Sequence, residues 1–266
     1  MSEQSDMGSG GHANRIVVLT GAAGGIGRAV ASCLARSGVK VIGIDMKDAD
    51  VCVDLGTAEG RREATRHVLA SSPIIDAVIS CAGISLPDDG ARTVSVNYFG
   101  ATHLLEGLRC GLERSKAPRA VMICSIATLF PPDEEIVRAC LADDEVAARK
   151  ASSADGQSAY ASGKNALARW VRRTSMRPDW GGVGILVNGV SPGTIKTAMA
   201  QDILSDPQAK AELMKAVPLV LEDYAQPEEI APLIAFLASA DNRFMVGQVM
   251  FADGGSDVLL RGDNVI

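Results

Sequence analysis

Apolar residues in this chain fall into two patterns that alternate from one end to the other. In the first they are bunched in short runs: Ile16 to Leu19, Val39 to Ile44, Val51 to Val53, Ile74 to Ser80, Ala120 to Cys124, Gly184 to Val190 and Val246 to Phe251. A short, mainly apolar run of this kind predicts a strand buried on both faces. In the second they recur every three or four positions. Ile26, Val30 and Leu34 form one such stripe, and Ser37-Gly38 ends it. Thr57 to Ala70, Asp88 to Leu112, Ser158 to Met176 and Pro227 to Ala238 follow the same rule, the last with Pro at its first position. Strands alternating with helices predict a parallel sheet covered by helices. Two stretches stand apart. Pro131 to Gln157 is charged and alanine-rich with helical spacing around Ile136, Cys140 and Val146, which predicts an inserted helical segment rather than a structureless loop. Thr197 to Val217 is loosely amphipathic and suits a mobile lid.

Composition narrows the class. The 266 residues are 47% hydrophobic, enough for a single α/β domain over residues 15–266. Residues 1–14 are polar and glycine-rich, without the apolar core of a signal peptide, and are expected to form a disordered arm. A net charge of −6 argues against nucleic acid or an anionic membrane as a partner. No apolar run reaches the length of a membrane span. Six cysteines show no C-x-x-C pair and sit mostly in apolar runs, so reduced, buried thiols in a cytoplasmic protein are expected. The three histidines are dispersed, and no metal-ligand spacing appears.

Candidate chemistry gathers where strands end. The turn Gly21-Ala22-Ala23-Gly24-Gly25-Ile26-Gly27 joins the first strand to the first helix. Its free N–H groups at a helix N-terminus form a site for a pyrophosphate, and Gly21, Gly25 and Gly27 allow a close approach. Asp45 ends the second strand, 24 residues past Gly21, where a carboxylate suits the two ribose hydroxyls of an adenosine and repels a 2′-phosphate. Asp54, followed by Leu55, either hydrogen-bonds an adenine ring or closes its own turn. Cys81-Ala82-Gly83 is a small-residue turn against which a flat ring can lie. Asn97 shares a helical stripe with Val94, Ala101 and Leu104, and an amide on a buried stripe must find partners. Ser125 stands at the carboxyl end of the fifth strand, where open α/β sheets place their ligands. Tyr160 and Lys164 are four apart and share one helix face. A phenol in water is a poor base, and a cation held close favours the phenolate. Thr194 follows the turn Ser191-Pro192-Gly193 and can hydrogen-bond an amide placed there.

Taken together, these residues resemble the short-chain dehydrogenase/reductase family from about Arg15 to the end. Thr20-Gly21-x-x-x-Gly25-x-Gly27 matches its cofactor loop, and Tyr160-x-x-x-Lys164 its catalytic motif. Cys124-Ser125, Val96-Asn97-Tyr98-Phe99-Gly100 and Pro192-Gly193 match its serine strand, helix asparagine and late turn. Gly43-Ile44-Asp45, Asp54-Leu55 and Cys81-Ala82-Gly83 look like the bacterial 3α-hydroxysteroid dehydrogenase/carbonyl reductase branch. The resemblance implies one doubly wound Rossmann domain with a seven-stranded parallel sheet, NAD as cofactor and a small apolar alcohol or ketone as substrate. It further implies Tyr160 as general acid and base, Lys164 as its charged neighbour, and Ser125 as the group orienting the substrate oxygen. Asn97 would hold a water linking Lys164 to solvent, and Thr194 would fix the nicotinamide carboxamide. Two departures stand out. Cys81 replaces the family's usual Asn, which removes a side-chain hydrogen bond from that turn. Ser125 and Tyr160 lie 35 apart, against roughly a dozen in the family pattern. The extra bulk before Tyr160 would obstruct the face through which members tetramerise. A homodimer through 227–251 is therefore expected, with a homotetramer as the alternative.

Overall fold

Every described strand is parallel to its neighbours, in the order β3-β2-β1-β4-β5-β6-β7. This computed structural model describes residues 14–153, 155–263 and 265. The expected arm at 1–14 lies, apart from Asn14, outside the described residues. The chain enters at β1 (Ile16–Thr20) and runs through α1 (Gly25–Arg36), β2 (Lys40–Asp45), β3 (Val51–Cys52), α2 (Ala58–Ser71) and β4 (Ala77–Ser80). Next come α3 (Gly90–Val94), a wide π-turn at Ser95–Gly100, α4 (Ala101–Leu112), β5 (Arg119–Ile123) and a 3₁₀ turn at Ile126–Leu129. Then follow α5 (Glu134–Leu141), α6 (Glu145–Ala151), α7 (Gly156–Thr174), a 3₁₀ turn at Gly181–Val183 and β6 (Leu186–Pro192). The last elements are α8 (Ala198–Ser205), α9 (Pro207–Ala216), α10 (Pro227–Ala238), β7 (Val249–Ala252) and α11 (Ser256–Arg261).

The alternation of side chains along the strands builds two cores. Val17 and Leu19 of β1 pack with Val30, Leu34 and Ile234 of α1 and α10 on one side of the sheet. Val18 points the other way, into a core with Leu104 and Leu108 of α4 and Leu167 and Val171 of α7. Each fully buried Leu, Ile or Val contributes about 1.5–3 kcal/mol, so both faces of β1 are strongly specified. The strand order reverses between β1 and β4, which opens a crevice at the carboxyl ends of those two strands.

The seven strands and most helices fall where the hydrophobic pattern puts them. Four details differ. The predicted helix over 88–112 is interrupted by the π-turn, all six residues of which are buried. The strand expected from Ile74 joins the sheet only at Ala77, because Ile74 is exposed and the chain is still approaching. The stretch expected to act as a lid splits into α8 and α9 at Asp206, whose carboxylate caps the second helix. The short helix α11 had no periodic signal. The cysteine reading holds for Cys124 and Cys140, which are buried, whereas Cys52 and Cys110 are exposed and Cys33 and Cys81 half-buried. All six are free thiols.

The predicted insertion is helical. Ile136, Val137 and Cys140 of α5 and Ala148 of α6 enter the core shared with α4 and α7. Polar ties fix it further: Arg61 Nη2 donates to Glu145 Oε2 at 2.6 Å, and Arg149 Nη1 donates to Ser95 Oγ at 2.7 Å. Arg169 grips Glu134 through both carboxylate oxygens.

Candidate active site

A groove of about 390 Å³ opens at the crevice, and the glycine turn forms one wall. Gly21 sits at φ +68°, and a Cβ there would lie 2.8 Å from the Ala82 nitrogen. A Cβ on Gly27 would lie only 2.0 Å from the Gly21 carbonyl oxygen. Both contacts are with backbone, which cannot step aside, so the turn requires glycine at these positions. The α1 N-terminus has no side-chain cap and no acidic residue in its first turn. Its N–H groups and the positive helix end therefore face the groove uncompensated, which fits an anionic pyrophosphate.

At the end of β2, Asp45 Oδ2 accepts from the Ala23 N–H at 3.0 Å and Oδ1 from the Met46 N–H at 2.7 Å. Each oxygen keeps a further lone pair for a hydroxyl donor. Asp54 does close its own turn, with Oδ1 accepting from the Gly56 N–H at 2.8 Å, and it also lines the groove. Gly25, Ile26, Leu55, Cys81, Ala82 and Gly83 line the groove as well.

The opposite wall is the segment after β4. Thr20 Oγ1, fully buried, accepts from the N–H groups of Cys81 and Ala82, both at 3.0 Å. Asn97 clamps Ile84: its Oδ1 accepts from the Ile84 N–H and its Nδ2 donates to the Ile84 carbonyl, each at 2.8 Å. The π-turn seats this amide inward. With a hydroxyl at one end and an amide at the other, the turn keeps its backbone partners although Cys81 stands where the family has Asn. Burial pushes the Cys81 thiol up to about 12, with the Asp45 charge adding and the Lys164 charge opposing.

Lys164 is 4% exposed, and its Nζ donates to the Ile123 carbonyl at 2.7 Å. The same ammonium lies 5.9 Å from the centre of the Tyr160 ring. A Cβ at Gly83 would meet Asn97 Oδ1 at 3.3 Å and Lys164 Nζ at 3.5 Å, so amide, ammonium and turn converge on one spot. Ser125 lies two residues beyond the carbonyl that Lys164 grips. It is 8% exposed, and its Oγ accepts from the Ala127 N–H at 3.2 Å. The structure thus gathers Asn97, Lys164 and Tyr160 beside the end of β5, which Ser125 follows. Thr194 is half-buried in the loop past β6 and, like Asn97, Ser125, Tyr160 and Lys164, is not among the residues lining the groove, whereas Thr197 and Met199 line it. Arg92, which also touches this site, was not singled out from the sequence, and Thr20 entered only as the first residue of the cofactor-loop motif, with no contact assigned to it. The partners of Thr20 lie 61 and 62 positions away, so no local spacing announces it.

An open parallel sheet with a glycine turn, a groove at the strand reversal and a buried lysine one turn from a tyrosine defines a nucleotide-dependent oxidoreductase fold. The family models agree. "Short chain dehydrogenase" matches residues 15–137, and "Enoyl-(Acyl carrier protein) reductase" matches 145–257. The chain belongs to the short-chain dehydrogenase/reductase family. Among curated proteins it is 38% identical to the 3-alpha-hydroxysteroid dehydrogenase/carbonyl reductase of Comamonas testosteroni, over 92% of this chain and 98% of that protein. It is 28% identical to a cyclohexanol dehydrogenase of Acinetobacter, over 91% and 94%. The 3-alpha-hydroxysteroid dehydrogenase of Pseudomonas sp. B-0831, solved with NADH, superposes with a TM-score of 0.87 at 37% identity, over 93% and 99% of the two chains. The chain is therefore an oxidoreductase of this family, close to the 3-alpha-hydroxysteroid dehydrogenase/carbonyl reductases.

Proposed function

We propose that the chain interconverts a secondary alcohol and a ketone with NAD as cofactor, on a cyclic or steroid-like apolar substrate. The convergence of Lys164, Asn97 and Tyr160 beside the end of β5 is the observation that carries this reading. Bound NAD(H) supplies the hydride chemistry. Tyr160 gives a proton to the carbonyl oxygen in reduction and takes it back in oxidation. Lys164 holds a positive charge near the phenol, the sign that stabilises the oxygen once its proton has gone. Ser125 orients the substrate oxygen by a hydrogen bond. Asn97 positions the Ile84 segment and the polar path to Lys164. Thr194 fixes the carboxamide once the lid has closed.

Choice of NAD over NADP rests on Asp45. Two backbone N–H groups hold its carboxylate at the ribose end of the groove, where a 2′-phosphate would meet a fixed negative charge. Lys47 also lines this end, but it has no such anchor in the groove wall. That the Pseudomonas relative was solved with NADH supports the choice. An apolar substrate suits the lid, because neither α8 nor α9 buries a residue and Met199, Ile203 and Met214 stand exposed.

The assembly we infer is a homodimer. The insertion covers part of α7 and the π-turn, while Phe236, Phe244 and Val246 near α10 and β7 are exposed and suit an isologous contact. An absorbance assay at the NADH band with a panel of cyclic and steroidal ketones tests the whole reading. Turnover with NADH is expected, and an equal or better rate with NADPH would remove Asp45 from its assigned role.

A further inference from the structure

Arg92 takes no part in the mechanism above, yet it spans one end of the groove. The Asp89 carboxylate, which accepts from the Arg92 N–H at 2.9 Å, fixes the start of α3. From there the Arg92 guanidinium reaches across, with Nη2 donating to Asp54 Oδ2 at 3.1 Å and lying 4.0 Å from Met46 Sδ. Asp54 is itself pinned by the Gly56 N–H. Met46, Asp54 and Arg92 thus come from three segments of the chain and meet over one end of the groove. Leu55 and Val96, both buried and apolar, line the same groove. Val96 is one helical turn beyond Arg92, on the same side of the helical path.

We propose that Arg92 roofs the adenine subsite, so that the base is held between a planar cation above and Leu55 and Val96 below; this rests on the NAD reading. A guanidinium stacks on a π-face and donates hydrogen bonds in its own plane, so one side chain can cover the ring and keep its grip on Asp54. The same pair orients the Asp54 carboxylate toward the edge of the base. Because the Arg92 side chain is 36% exposed, the ion pair contributes little before the ligand arrives. Its contribution appears once the base is in place, and therefore in the dissociation rate.

The test is a fluorescence titration of NADH, with stopped-flow displacement, on wild type, R92A and R92K. Reduced nicotinamide mononucleotide, which lacks the adenosine, serves as the second probe. R92A is expected to weaken NADH about fivefold to thirtyfold, mainly by faster release, with the mononucleotide unchanged. R92K keeps the charge but not the plane and is expected to recover less than half of that loss. Unchanged NADH binding in R92A would overturn the proposal, as would equal weakening of both probes or full recovery in R92K. If R92A fails to fold, R92K alone decides: NADH binding equal to wild type rejects the roof. A wild type that binds NADPH more tightly than NADH contradicts the Asp45 reading instead, and the roof still stands or falls on the R92A comparison.

Discussion

Replacing Thr20 by Val keeps the shape of a fully buried side chain and removes one oxygen. That oxygen is the acceptor for two backbone N–H groups, those of Cys81 and Ala82, at 3.0 Å each. Valine offers only methyl groups in its place. A buried donor left without a partner costs about 1–3 kcal/mol. Both N–H groups are only part-buried, so the low end applies, and the loss should be about 2 kcal/mol in all. For a chain of this size, 1 kcal/mol moves the melting temperature by about 2–4 °C, so Thr20→Val should melt about 4–8 °C lower. Thr20→Ser keeps the acceptor and loses one methyl, at about 1 kcal/mol. Urea unfolding of the three proteins should rank them wild type, Ser, Val. NADH should bind the Val variant more weakly, since the freed turn forms a wall of the groove. A Val variant as stable as wild type, or more stable than the Ser variant, would refute the idea that this hydroxyl holds the turn.

Two buried thiols make the fold sensitive to alkali. Burial pushes Cys124 and Cys140 up to about 12, from an ordinary value of 9.0. The folded state holds these protons more tightly than the unfolded one, so their contribution is complete below about pH 9 and declines as pH rises toward 12. The urea midpoint should therefore fall from pH 9 upward. Alkylation at pH 8 followed by mass spectrometry should modify the exposed Cys52 and Cys110 first; early adducts on Cys124 or Cys140 would contradict the burial. Phe236→Arg, on the exposed face of α10, should convert a dimer into a 27.7 kDa monomer in light scattering. A tetramer that survives both this change and removal of 131–157 would contradict the proposed interface.

The fold was legible because each strand is a short, mainly apolar run and each main helix carries one apolar stripe. Val17, Val18 and Leu19 feed two cores at once, which leaves an unambiguous mark on the sequence. Asn97 was legible too, as an amide on a buried stripe, though the π-turn that seats it was not, since a wide turn leaves the apolar spacing almost intact. The contacts of Thr20 and Arg92 escaped for a different reason. Each acts on residues far along the chain, Thr20 on Cys81 and Ala82 and Arg92 on Asp54, and either looks unremarkable in its own neighbourhood. The halves of the lid likewise bury nothing, so its weak periodicity carried little information.

The central claim is that Tyr160 transfers the substrate proton beside a buried ammonium. Its most direct test is turnover of a ketone by Tyr160→Phe, measured together with the dissociation constant for NADH. A positioned proton donor contributes about 10²–10⁴ in rate, so kcat should fall by at least about a hundredfold while NADH affinity changes little. Retention of a tenth or more of wild-type turnover would contradict the account.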